Sequence, residues 1–174
     1  MSSIIVCPLN KVKEAARISG ATHMLTLLGK EQKVSRPGSI PASQHMHLSF
    51  SDVTEPTEGF VAASASDIEQ LIEFVTVQWK ADTPLLIHCW MGISRSTAGA
   101  FIALCANQPH RSEFVLARAL RAASPSASPN RRLVEFADKF LGRDGRMNEA
   151  IRLMGRGSDA FEGTIFEMFL EDTA

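Results

Sequence analysis

The sequence predicts an α/β fold: a central, mostly parallel sheet flanked by helices, followed by a helical C-terminal half. Three observations predict it. Short apolar runs alternate with helical-period stretches from the N-terminus onward, as in strand-helix-strand units. The apolar run Thr83 to His88 passes through a tight loop straight into the buried-looking helix that begins near Ser96. From Glu113 onward only helical stretches recur.

Each element follows from its residues. Ser3 to Val6 reads as a buried strand closed by Pro8, and Lys11 to Ile18 as a helix with Val12, Ala15, Ala16 and Ile18 facing inward. Thr22 to Leu28 is a second strand ended by Gly29, and Ser35-Arg36-Pro37-Gly38-Ser39 is turn-rich. His45 to Phe50 alternates as a third strand, followed by the polar loop Ser51 to Gly59. A helix capped near Ser66 and Asp67 carries Ile68, Leu71, Ile72, Val75 and Trp79 on one face. Beyond the Ser96 helix, further helices are expected over Glu113 to Ala123, Arg131 to Leu141 and Asn148 to Met154, with a last one around Glu162 to Leu170.

Composition sets the bounds. A chain of 174 residues suits one domain, 1–174, with 45% hydrophobic and 21% charged residues. A net charge of −1 gives no global field for nucleic acid or an anionic membrane, and neither partner is expected. Cys7, Cys89 and Cys105 are an odd set without disulfide spacing, which suits a reducing cytoplasm. The apolar run at the N-terminus is too short for a signal peptide, and no run reaches transmembrane length. The oligomeric state is not legible.

The chemistry concentrates in His88-Cys89-Trp90-Met91-Gly92-Ile93-Ser94-Arg95-Ser96. A short loop entering a helix points several N–H groups into one concavity, and the helix dipole adds positive potential there. Trp90, Met91, Gly92, Ile93, Ser94 and Arg95 would line such a phosphate-binding cup, with Gly92 permitting a backbone angle or a close approach. Arg95 adds a planar fork that bonds two phosphate oxygens, and Cys89 at the base is expected to be a thiolate nucleophile. A buried inert thiol is the bland alternative for Cys89, and a surface ion pair for Arg95.

The His-Cys-x5-Arg-Ser spacing, with Gly92 in mid-loop, resembles the signature loop of the cysteine-based protein tyrosine phosphatases. The short chain is similar to their dual-specificity-like branch, in its bacterial form. The resemblance spans roughly residues 45 to 140 and implies a phosphate monoester hydrolase working through phosphocysteine, without cofactor or metal. Ser96 resembles the family hydroxyl that steadies the thiolate, though an N-terminal helix cap uses the same hydroxyl. Family members place an acid upstream of the cysteine; Asp52 fits that slot, with Glu55 and Glu58 as rivals on the same loop. Asp67 reads as helix capping, and Asp82 precedes the signature strand, away from the cysteine. Asn130 follows Pro129 at a helix start similar to one in related phosphatases, and either caps that helix or buttresses the loop. Arg131 and Arg132 read as a solvated basic helix start or the border of a cleft.

His88 reads as an orienter of the loop. His23, His45, His47 and His110 lack partners at metal-ligand spacing. Cys7 and Cys105 read as core, unless one lies close enough to trap Cys89 on oxidation. The chain contains no tyrosine, which excludes a substrate pocket walled by tyrosine and leaves Phe50, Phe60 or Trp90 for that wall. The absence of lysine in the loop argues against an inositol polyphosphate. The expected substrate is a phosphorylated protein or a small phosphate monoester. A phosphate-binding pseudophosphatase is the alternative from another class; an arsenate-handling relative fits less well, because its loop would follow the first strand.

Overall fold

The structure, a computed structural model, describes residues 2–171. Five strands, β1 (Ser3–Pro8), β2 (His23–Leu28), β3 (His45–Ser49), β4 (Leu85–Cys89) and β5 (Phe166–Phe169), form one sheet in the order β3-β2-β4-β1-β5. The first four are parallel and β5 is antiparallel to β1. β1, β2 and β4 are buried at every residue, the pattern of strands covered by helices on both faces.

On one face α1 (Val12–Ser19) packs Val12, Ala15 and Ala16 against Ile5, Met24 and Leu86. Ile18 is a correction to the expected inward set, being 57% exposed. At 3.6 residues per turn it falls roughly 120° from the centre of the stripe that the other three form. The other face carries α2 (Ala65–Glu73), α3 (Arg95–Asn107), α4 (Glu113–Ala123), α5 (Arg131–Phe140) and α6 (Arg146–Met154), enclosing the larger core. The α2 cap is Ser64 rather than Ser66: Ser64 and Asp67 form a reciprocal capping box, which places Asp67 in the third helical position. A π-helical turn over Phe74–Gln78 then carries Val75 and Trp79 into the core.

α3 is buried from Arg95 to Cys105, so the loop before it is mounted on the most enclosed helix of the molecule. A buried ion pair, Arg143 Nη1 to Glu113 at 2.9 Å, ties α4 to the turn before α6, and Arg143 Nη2 donates to the Cys105 carbonyl at 2.6 Å. The helix expected around Glu162 to Leu170 is a strand instead. Phe166, Met168 and Leu170 are buried while Glu167 and Phe169 are exposed, a period of two that matches the free edge of β1. Among the described residues no helix is long and apolar enough to cross a membrane.

Candidate active site

The loop Trp90 to Ser94 joins the carboxyl end of central β4 to α3. Its carbonyls are claimed from outside by three separate segments. Leu9 N–H donates to Trp90 O at 3.1 Å, Gly163 N–H to Met91 O at 2.8 Å, Ser128 N–H to Ile93 O at 2.9 Å and Asn130 N–H to Ser94 O at 3.3 Å. In a trans peptide the following N–H points opposite to the carbonyl. The N–H groups of Met91, Gly92, Ser94 and Arg95 are therefore turned to the other side, where Gly92 N–H reaches Cys89 Sγ at 3.3 Å. These N–H groups form a concavity at a helix N-terminus, an arrangement whose partial positive charge suits an anion.

Two glycines make that crossing possible. Gly92 has φ +71°, and a Cβ there would stand 2.8 Å from the backbone nitrogen of Pro8. Gly163 lies on the far side, where a Cβ would stand 2.7 Å from the Gly92 carbonyl oxygen. The loop is thus clamped between the end of β1 and the segment that leads into β5.

Cys89 is 2% exposed, and its sulfur lies 3.1 Å from Ser96 Oγ. Ser96 does not cap the helix; Ser94 holds the cap position and makes no capping bond with its side chain. The Ser94 hydroxyl donates instead to Asp52 Oδ1 at 2.8 Å. Asn130 donates to the same oxygen at 2.8 Å and to Val53 O at 3.3 Å, while its own Oδ1 caps α5 through the N–H groups of Arg132 and Leu133. Asn130 thus caps α5, its amide nitrogen holds the Asp52 segment, and its backbone N–H bonds the signature loop at Ser94 O. Asp52, though exposed, is held at the Ser94 end of the loop, whereas neither Glu55 nor Glu58 has a side-chain bond to it.

Arg95 is 5% exposed, with Nη1 donating to the Phe50 carbonyl at 2.9 Å and Nε buried without a partner among the described residues. A buried cationic donor left unpaired is costly, and an oxyanion in the concavity would relieve that cost. Phe50 itself is 1% exposed, which corrects the expectation that its ring could wall the site; its carbonyl anchors Arg95 instead. Phe60 and Trp90, 58% and 47% exposed, remain available. Arg95 and Asp52 share a cleft of about 480 Å³ with Lys30, Gln32 and Phe60. A larger cavity of about 620 Å³ between α5 and α6 is lined by surface charges such as Glu135, Lys139 and Arg152, and includes neither Cys89 nor Arg95.

Behind the loop a chain of hydrogen bonds fixes one proton arrangement. His88 Nδ1 faces the Cys89 carbonyl at 3.3 Å, and a carbonyl only accepts, so Nδ1 carries the hydrogen. Burial pushes His88 down to about 4, and in the neutral ring Nε2 must then accept, from Thr26 Oγ1 at 2.8 Å. The Thr26 oxygen is left to accept from His45 Nε2, also at 2.8 Å. His45, lowered to about 4 by burial and by its neighbours His47 and Arg36, is the outer end of this chain. Sequence reading missed Thr26, although a lone hydroxyl in the otherwise apolar Met24-Leu25-Thr26-Leu27-Leu28 run was a signal for it.

Cys7 packs with the α1-side core and Cys89 with the α3-side core, so alternation along the strands sends their side chains to opposite sheet faces. Burial pushes both Cys7 and Cys105 up to about 12, which leaves them as core thiols. Arg131 is exposed at the start of α5, and Arg132 donates to the Ala63 carbonyl at 2.7 Å and lies over the Phe136 ring. Among the described residues no group of three or more His, Cys, Asp or Glu side chains is placed to hold a metal ion.

No protein-family model and no curated protein matches this sequence. Solved structures do. DUSP15 superposes with a TM-score of 0.63 at 16% identity, covering 88% of this chain and 91% of its own. The Cydia pomonella PTP-2 phosphatase gives 0.60 at 15% identity, covering 94% and 92%. The human tyrosine phosphatase-like serine/threonine/tyrosine-interacting protein gives 0.58 at 16% identity, covering 81% and 92%. At such identity the likeness speaks for architecture alone: the chain has the fold of the dual-specificity, cysteine-based tyrosine phosphatases.

Proposed function

We propose that the protein is a cysteine-dependent phosphate monoester hydrolase, acting on phosphotyrosine or on phosphoserine and phosphothreonine in proteins. The observation that carries this reading is the buried, unpartnered Nε of Arg95 beside the inward N–H groups of the loop that starts at Cys89. Cys89 Sγ attacks phosphorus, the bond to the leaving oxygen breaks, and Asp52 gives that oxygen its proton. Water then attacks the phosphocysteine and the P–S bond breaks. Asp52 takes the water's proton, and the Ser96 hydroxyl donates to the departing sulfur. The Arg95 guanidinium and the N–H groups of Met91, Gly92, Ser94 and Arg95 hold the three equatorial oxygens throughout. Asn130 and His88 position Asp52 and the loop backbone. No cofactor is needed for these steps, and the three free cysteines suit the cytoplasm.

The direct test is acid quench of wild type during turnover of a phosphotyrosine peptide, followed by mass spectrometry. A phosphate adduct on the Cys89 peptide is expected; steady turnover with no adduct would contradict the covalent route. Asp52→Asn is a second test. The amide oxygen can still accept from Ser94 and Asn130, so the position is kept while the proton is lost. Turnover of phosphotyrosine peptides is expected to fall about 100-fold, with little change for dinitrophenyl phosphate, whose leaving group needs no proton. Equal losses on both substrates would remove Asp52 from the acid role and turn attention to Glu55 and Glu58.

The likeness to a phosphatase-like interacting protein favours a second reading, in which the site binds phosphorylated partners without turning them over. Wild type that binds phosphopeptide and hydrolyses no aryl phosphate would establish it.

A further inference from the structure

Residues 155–165 join α6 to β5 without forming helix or strand, and they cross the outer side of the loop that follows Cys89. Both ends of this strap are held. Gly155 closes α6 with φ +70°, and its carbonyl accepts from Arg121 Nη2 at 2.8 Å. Beyond Ile165 the chain enters β5, which pairs with β1. Between these ends the backbone lies so close to its neighbours that a side chain has no room. A Cβ on Gly157 would stand 2.4 Å from the Ser126 carbonyl carbon, and one on Gly163 would stand 2.7 Å from the Gly92 carbonyl oxygen.

The strap reaches the loop through two peptide groups. Gly163 N–H donates to Met91 O at 2.8 Å, and the N–H of that same peptide, on Gly92, faces Cys89 Sγ at 3.3 Å. One peptide plane is therefore gripped on its outer side by the strap and turns its inner side to the reacting sulfur. The second grip is indirect. Gly157 N–H donates to Ser128 Oγ at 3.0 Å, and Ser128 N–H donates to Ile93 O at 2.9 Å, which turns the Ser94 N–H inward. Hydrogen bonds at the two ends of an amide strengthen one another, because each polarises the group that the other uses. An oxyanion on the Gly92 and Ser94 N–H groups would make the Met91 and Ile93 carbonyls better acceptors on the strap side.

We propose that Gly163 is a positioning residue that acts through the Met91–Gly92 peptide, and that docking of residues 155–165 and binding of a phosphate group stabilise each other. The proposal rests on the phosphatase reading of the loop and adds a means of control to it. Whatever lifts the strap weakens the grip on phosphate without touching Cys89, Arg95 or Asp52.

Coupling of this kind is reciprocal, so it is measured from both sides. Amide exchange of the wild-type protein is followed by NMR with and without inorganic phosphate. The Gly163 and Gly157 amides are expected to exchange roughly fivefold or more slowly with phosphate bound, while those of α1, on the opposite face of the sheet, are unchanged. Phosphate affinity is then titrated on the Gly92 and Ser94 amides. Gly163→Ala is expected to bind phosphate about tenfold more weakly, and to lose at least as much in kcat/KM for p-nitrophenyl phosphate. Gly157→Ala, whose Cβ meets Ser126 and not the loop, is expected to shift both in the same direction by less. Phe161→Ala, at an 88% exposed ring on the same strap, is expected to shift neither. Thermal denaturation establishes which variants are folded, and the wild-type exchange experiment decides if Gly163→Ala is not. Equal Gly163 exchange with and without phosphate, or wild-type affinity in folded Gly163→Ala, overturns the coupling even if the enzyme is active. Wild type that binds no phosphate at the Gly92 and Ser94 amides overturns it as well, whatever its turnover. Slowed exchange in a protein that hydrolyses no aryl phosphate leaves the coupling standing and overturns the hydrolase reading instead.

Discussion

Cys89→Ser is expected to abolish turnover of every phosphate monoester, a loss of roughly 10⁴-fold or more of the kind seen when a nucleophile is removed from a unit that acts together. Binding is expected to survive. The groups that would grip phosphate are backbone N–H groups and Arg95, and neither depends on the sulfur. The four outward carbonyl bonds that set the loop also remain in the variant. A serine Oγ replaces Sγ with a smaller atom in a site already closed by Ser96 and Gly92, so packing is little disturbed. Isothermal titration with a phosphotyrosine peptide, beside a p-nitrophenyl phosphate assay, reads both halves. Turnover by Cys89→Ser within tenfold of wild type would exclude the phosphocysteine route. Retained binding with lost turnover would separate grip from chemistry.

What the sequence revealed and what it hid differ by range of interaction. The order strand, loop, helix from Leu85 to Leu104 is local, and its apolar run and glycine announced it directly. Asp52 was singled out through the family resemblance, as the aspartate on the loop after the third strand. Its two bonds, to Ser94 and Asn130, join residues 42 and 78 positions away, and no local pattern encodes them. The Thr26 relay has the same character, joining β2, β3 and β4 through side chains that become neighbours only in the finished sheet. The C-terminal strand was misread for a related reason. Phe166, Met168 and Leu170 alternate over too short a run to outweigh the helical pattern before them, and the edge of β1 selects the extended form. Gly163 is invisible as a site residue until its chain segment is seen lying against Gly92.

The clamping of the loop has a consequence for the chemistry. A loop held by Leu9, Gly163, Ser128 and Asn130 keeps its inward N–H groups in place before substrate arrives. On the proposed route, stabilisation of the transferring phosphoryl group would need little reorganisation of the backbone.

Arg95 adds the charge that the backbone lacks, and Arg95→Lys is expected to lower kcat by about 10² to 10³-fold, the size of effect found when one preorganised oxyanion donor is lost. The reason lies in how the guanidinium is divided. Nη1 is committed to the Phe50 carbonyl at 2.9 Å, which fixes the plane of the fork and leaves Nε without an acceptor among the described residues. A lysine has a single nitrogen at the end of its stem. It can bond the Phe50 carbonyl or reach a phosphate, and in neither place does it present two parallel donors. Charge is conserved in the exchange and geometry is lost, so the defect is expected in kcat more than in KM. Arg95→Ala with added guanidinium supplies the complementary measurement, because a free planar cation restores geometry without the tether. Partial rescue by guanidinium, with none by methylammonium, is the expected pattern, and thermal denaturation of each variant separates it from a folding defect at this buried position. Near-wild-type kcat in Arg95→Lys would mean that positive charge alone suffices, and the transition-state role assigned to the fork would be lost.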